Sequence, residues 1–206
     1  MHIADGVLPT KVALACYALS AGCLSLSLRK TRAQDLPKVA VMTSAFFVAS
    51  LVHVPLGPTS VHLLLPGLVG IILGWSAFLA VFLGLLLQCL LFQFGGLTAL
   101  GANALMMGLP AWLSGAFFSR FRNSPDRVRI LAGAVASGTA VAVAACGLAV
   151  LLALGGEDFF GVAKIALAAH VPVVVVEALV TASVLAFVGR VKPELITQGA
   201  WKAEWR

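Results

Sequence analysis

Residues 162–189 read VAKIALAAHVPVVVVEALVTASVLAFVG, a run of 28 residues with only Lys164 and Glu177 charged. A helix needs about 20 apolar residues to cross the hydrocarbon of a bilayer, and this run exceeds that with no polar stripe for a water-facing side. Working outward, residues 8–28, 75–94 and 130–154 meet the same length, and 39–54 falls slightly short. Residues 60–73 make a stretch of only 14, and 95–119 is interrupted by Gly95, Gly96, Gly101, Gly108 and Pro110. The whole chain of 206 residues is 61% hydrophobic and 11% charged, where a soluble domain has about 25% charged residues. Its mean hydropathy is +1.04. The sequence predicts an all-α integral membrane protein in one domain, residues 1–206.

The formal charge of +6 could suggest nucleic acid, but the positions of the charges argue against it. Of the 14 basic residues, 12 fall in three clusters. These are Arg29, Lys30, Arg32 and Lys38; Arg120, Arg122, Arg127 and Arg129; and Arg190, Lys192, Lys202 and Arg206. Basic residues at span ends mark the cytoplasmic side. An even number of passes must then separate neighbouring clusters, with four fitting between the first and second and two between the second and third. The expectation is seven transmembrane helices, the N-terminus outside, the C-terminus cytoplasmic, and a multi-pass position in the inner cell membrane. No nucleotide-binding G-x-x-x-x-G-K-[ST] loop and no H-E-x-x-H occurs, so neither ATP hydrolysis by the chain itself nor zinc-peptidase chemistry is indicated. Cys16, Cys23, Cys89 and Cys146 show no C-x-x-C spacing and suit packing rather than metal binding. The chain is not expected to be an enzyme.

Polar side chains at membrane depth are costly, and each is a functional candidate. Here they are His53, His62, Gln88, Gln93, Asn103, His170 and Glu177. His170 and Glu177 are two helical turns apart and share a face, where they could brace a site or simply pack. In VPLGPTSVHLLLPG (54–67), Pro55, Gly57 and Pro58 predict a turn, after which Thr59 or Ser60 caps a helix with His62 in its first turn. QFGGLTALGAN (93–103) is a second interrupted segment. Broken backbone at this depth is tolerated only where it is buried in protein or lines a cavity, which places an internal site between the two.

The chain opens MHIADGVLP, with no basic residue before Lys11, unlike a secretory signal. His2 could be one more polar residue on a frayed terminus. Its chemistry offers more. A free α-amine, the amide nitrogen of residue 2 and imidazole Nδ1 close a five-membered and a six-membered chelate ring, three nitrogens in one plane. A second imidazole, such as that of His62, would complete a square of four nitrogens, a geometry that suits Ni(II) or Cu(II). Removal of an initiator methionine requires a small second residue, so His2 preserves Met1. Asp5 can anchor this segment by accepting backbone N–H groups, or cap the first helix from outside.

MHIADG, GPTSVHL, QCLLFQFGGLTALGAN and AHVPVVVVEALVTA together resemble the CbiM/NikM family, the substrate-binding membrane subunits of energy-coupling-factor cobalt/nickel transporters. The resemblance runs over nearly the whole chain. It implies a seven-helix subunit whose N-terminus tucks into the bundle, with Ni2+ or Co2+ as transported substrate and no permanently bound cofactor. It implies that the metal is held by the Met1 amine, the His2 amide and imidazole, and His62. Partners implied are a transmembrane coupling subunit, cytoplasmic ATPase subunits and a small accessory membrane subunit. Asn103 is a candidate for supporting the ligands, with Asp5, His53, His170 and Glu177 as further supporting candidates. The chain departs from the family where an acidic-glycine GDGG run is replaced by QFGG at 93–96. A self-sufficient secondary metal permease or channel is the alternative, although only Glu177 offers an intramembrane carboxylate for proton coupling.

Overall fold

The computed structural model describes residues 2–51, 53–56 and 59–197. Among these residues, seven helices carry the architecture: α1 Thr10–Lys30, α2 Leu36–Leu51, α3 Pro66–Leu73, α4 Ala77–Phe92, α5 Leu100–Ser119, α6 Asp126–Gly155 and α7 Phe160–Val191. A last turn, α8 Glu194–Thr197, follows. The seven-helix membrane fold is as the sequence predicts. Four segments are long and apolar enough to cross a bilayer on their own: Thr10–Lys30, Pro66–Phe92, Asp126–Gly155 and Glu157–Val191.

The segment around His62 differs from its sequence reading. It forms an antiparallel hairpin, β1 His53–Leu56 and β2 Thr59–His62, with His53 opposite His62 in the register. His62 therefore ends a strand and does not stand in a helical first turn. Val54 precedes a proline, which disfavours helical backbone, and the β-branched Thr59 and Val61 favour a strand. Helix starts only at Pro66, whose fixed φ suits a first helical position, after Leu65 turns the chain with a φ of 54°. α3 has 8 residues, about 12 Å at 1.5 Å per residue, so it covers only part of the third pass. Gly74, at φ 58°, ends it, and one 3₁₀ turn at Gly74–Ser76 leads into α4.

Side-chain contacts identify the two ends of the bundle. At one end Thr31, just past α1, bonds Ser76 between Oγ atoms at 2.8 Å. At that same end buried Arg122 donates to the carbonyls of Ile71 (2.8 Å) and Ile196 (3.3 Å). The described members of the three basic clusters thus gather at one end, as the parity argument requires. At the other end Gly155 packs on the Val7 backbone and the loop 93–99 meets the N-terminal segment.

α6 and α7 run antiparallel: Gly133 lies against Leu185, the Thr181 hydroxyl donates to Ser137 Oγ at 2.8 Å, and Gly189 approaches Arg129. α3 is enclosed between α5 and α6, because a Cβ on Gly67 would fall on Ser137 and one on Gly70 on the Ala111 carbonyl. The outer faces carry Leu14, Leu19, Val41, Leu90, Leu113, Leu131, Val171 and Phe187, each more than 60% exposed. In water so large an apolar surface would drive aggregation. In a bilayer it is the solvated surface.

Candidate metal centre

The N-terminal segment is stitched into the bundle by hydrogen bonds at Ile3 and Asp5. Ile3, fully buried, is paired like a strand residue with the Asn103 side chain. Its N–H donates to Asn103 Oδ1 at 2.9 Å, and Asn103 Nδ2 donates to its carbonyl at 3.0 Å. One amide at the start of α5 thus satisfies both backbone groups of a buried residue, which would otherwise cost about 1–3 kcal/mol each. Asp5 accepts from the Thr98 backbone N–H at 2.8 Å and from the Thr98 hydroxyl, and the Thr98 bonds hold its carboxyl below the usual range. Tyr17 of α1 donates to the Leu97 carbonyl of the same loop. The glycines of QFGG have a visible purpose here. A Cβ on Gly95 would touch Asn103 and His2, and one on Gly96 would collide with the Asp5 carboxylate.

These anchors carry His2 to His62. The two imidazoles stack with centroids 5.0 Å apart and planes 23° from parallel, and Phe94 lies 6.1 Å from the His2 ring. Hydrogen bonds set the tautomer of each ring. Gln88 Oε1 lies 2.7 Å from His2 Nε2. As an acceptor it fixes the ring proton on Nε2 and leaves the lone pair on Nδ1, the nitrogen a terminal chelate needs. The Leu63 carbonyl lies 3.2 Å from His62 Nδ1, which places that proton on Nδ1 and the lone pair on Nε2. Enclosure of His2 lowers its pKa from 6.5 to about 3, because a charged ring is penalised there. The ring is therefore neutral at physiological pH. Gln88 is the residue that sequence reasoning named without a role. It orients the His2 ring through Nε2, the kind of contact that outer partners make to metal-binding histidines.

Glu177, fully buried on α7, accepts at one oxygen, Oε1, from the backbone N–H groups of Leu64 and Leu65, the latter at 2.7 Å. It thereby holds the bend between His62 and α3. His170 is buried on the same face, its Nδ1 bonded to the Ala166 carbonyl at 2.6 Å; no hydrogen bond joins it to the His2–His62 pair among the described residues. Met1 and the His53 side chain lie outside the described residues. Of the predicted residues the structure thus brings together His2, His62, Asn103 and Asp5, with Glu177 one contact away. Among the described residues no three His, Cys, Asp or Glu side chains cluster closely enough to hold an ion. Any four-coordinate site here must draw on other donors.

Gln88→Leu is expected to weaken nickel or cobalt binding by about 10- to 100-fold, the usual cost of losing an outer partner, with the helical content unchanged. Metal titration beside circular dichroism checks this. Equal affinity for both proteins would remove Gln88 from the centre.

The cobalt uptake substrate-specific transmembrane region family matches residues 2–195. A Haemophilus influenzae protein provisionally named for metal transport is 37% identical, over 96% of this chain and 98% of its own. The cobalt transport protein CbiM of Sorangium cellulosum is 32% identical over 95% and 94% of the two chains. The fused nickel transport protein NikMN of Rhodobacter capsulatus is 35% identical over 53% of this chain and 33% of its own length. Among solved structures, a transition metal transporter superposes with a TM-score of 0.83 at 25% identity, covering 98% of this chain and 99% of that one. The seven-helix bundle, the buried Ile3 segment and these likenesses agree, and the chain belongs to the cobalt uptake substrate-specific transmembrane family, the membrane component of cobalt and nickel uptake systems.

Proposed function

We propose that this protein captures a Ni2+ or Co2+ ion at its N-terminus, as the substrate-specific subunit of an ATP-driven energy-coupling-factor importer. The observation that carries the reading is the pairing of His2 with His62 at 5.0 Å, with hydrogen bonds that leave His2 Nδ1 and His62 Nε2 as the donor nitrogens. The Met1 amine, the His2 amide nitrogen and His2 Nδ1 supply three corners of a square. The open corner lies opposite the amide and beside Nδ1, so its donor must come from a neighbour of the His2 ring. His62 is that neighbour. Loss of the amide proton on binding makes capture weaker in acid. Asn103, Asp5 and Gln88 hold the terminus, and Phe94 lies beside the His2 ring.

In this reading the whole chain is one capture domain, with the His2 end outside and the basic end in the cytoplasm, following the positive-inside rule. With no nucleotide loop of its own, the subunit takes its energy from cytoplasmic ATPases through a transmembrane coupling subunit. A small accessory membrane subunit completes the assembly, a reading supported by relatives named as fused nickel transport proteins. A secondary permease is less well supported, since Glu177 is the one fully buried carboxylate in the described spans.

The test is an uncleaved N-terminal extension of several residues. A single inserted residue would not serve, because amine, two amides and imidazole make another nitrogen square. The extended protein is expected to lose the yellow square-planar nickel band and to bind about tenfold more weakly or worse, by spectroscopy and calorimetry. An unchanged band and affinity would refute capture by the terminus.

A further inference from the structure

The capture site is only the entrance to the bundle. The buried face of α7 carries His170, Val173, Glu177, Thr181 and Leu185, and three of these are polar in the middle of an apolar bundle. His170 is 2% exposed and Glu177 and Thr181 are fully enclosed. Thr181 is satisfied by Ser137 across the α6–α7 seam. The other two are satisfied at one atom only: His170 Nε2 and Glu177 Oε2 are buried without a hydrogen-bond partner among the described residues. An unpaired buried polar atom costs about 1–3 kcal/mol, so two on one helix face need a reason.

Their placement supplies it. Glu177 Oε1 is fixed by the N–H groups of Leu64 and Leu65, two and three residues after His62. Leu65 is left-handed, so these successive N–H groups form an anion-holding nest at the start of α3. The nest grips one carboxylate oxygen and leaves the other, Oε2, buried without a hydrogen-bond partner among the described residues. Glu177 lies seven residues beyond His170 on α7, roughly 10 Å deeper. A dication leaving nitrogen donors for a low-dielectric interior needs an acidic oxygen within reach, or it pays a desolvation cost of several kcal/mol. Of the eight acidic residues of the chain, Glu177 is the one buried deep in a described span.

We propose that Glu177 Oε2, two helical turns along α7 from His170, is a second and transient position for the divalent transition-metal ion on its way inward from the His2–His62 site. This rests on the capture reading above. The ion exchanges a nitrogen donor for the carboxylate oxygen while the same residue keeps the His62 segment in place through Oε1.

Glu177→Gln separates the two jobs, since its amide oxygen still accepts from Leu64 and Leu65 while the acidic oxygen is gone. Nickel and cobalt titrations of the purified variant are expected to match wild type within about threefold, as expected when the backbone bonds persist. Metal accumulation by cells carrying the complete transporter is expected to fall about tenfold or more, the size typical for losing a partner of a metal site. Wild-type accumulation by the variant would overturn the proposal. So would an equal fall in capture and accumulation, which would reduce Glu177 to a brace for His62. Failure of the capture reading itself appears elsewhere, as unchanged metal binding by the N-terminally extended protein.

Discussion

His62→Ala is expected to abolish tight nickel and cobalt binding while leaving the bundle folded. The ring stacks on His2 at 5.0 Å and is 6% exposed, and in the proposed site it supplies the fourth nitrogen of the square. Losing an outer partner of a metal site costs 10- to 100-fold; losing a donor outright should cost about a hundredfold or more. Calorimetric titration of the purified variant measures it. The fold should survive, since Glu177 bonds the backbone of Leu64 and Leu65 rather than the imidazole, and Pro66 starts α3 regardless of residue 62. Unaltered circular dichroism with lost binding is the expected pair of results. Binding within about threefold of wild type would move the site elsewhere, since it would leave no room for a lost donor.

Gly70→Ala is expected to have the largest effect on stability. α3 is the most enclosed helix among the described residues, with every position from Pro66 to Leu73 buried apart from Ile72. A Cβ at position 70 would collide with the Ala111 carbonyl and the Ser114 hydroxyl on α5. Neither can retreat, because Ala111 is buried backbone and Ser114 also donates to the Gly67 carbonyl at 3.0 Å. Overpacking of this kind costs typically 1–3 kcal/mol and more where backbone is struck. About 3 kcal/mol corresponds to a fall in melting temperature of roughly 6–12 °C for a chain of this size. Gly22→Ala on α1 is the control: nothing lies within 4 Å of the added carbon, and glycine inside a helix costs roughly 0.5–1 kcal/mol relative to alanine. The control should therefore hold or gain stability. Thermal melts of both proteins in detergent decide the matter, and equal melting points would show that α3 shifts freely against α5.

The helix that carries this glycine also links the two ends of the protein. Its start is held by Glu177 next to the His2–His62 pair, and its end by Arg122, which also grips the Ile196 carbonyl of α8. Arg122 is buried with its guanidinium 5.6 Å from the centre of the Phe118 ring. Strain introduced at Gly70 therefore has a direct route to His62.

Much of this architecture was legible from the residues alone. The thickness of the hydrocarbon sets the length of a spanning run, and Lys and Arg at the ends of such runs mark one side. Both are local properties, which is why the seven passes and the gathering of the basic clusters could be read without coordinates. The adjacency of the Met1 and His2 nitrogens was legible for the same reason, since neighbours along the backbone need no fold to bring them together. The hairpin at His53–His62 was not, because two four-residue strands between prolines give too short a pattern to tell from a capped helix. Nor could Gln88 be given its role, or Glu177 a specific contact. Gln88 meets His2 across 86 positions, Asn103 meets Ile3 across 100, and Glu177 meets Leu65 across 112. Such meetings depend on how each helix is rotated and on how closely glycines let backbones approach, quantities fixed only when the bundle packs. The sequence determined that this chain crosses the membrane seven times and that the nitrogens of Met1 and His2 stand side by side along the chain. The tertiary structure decided which polar atoms meet His2 and Ile3, because helix packing, rather than span length or composition, sets those distances.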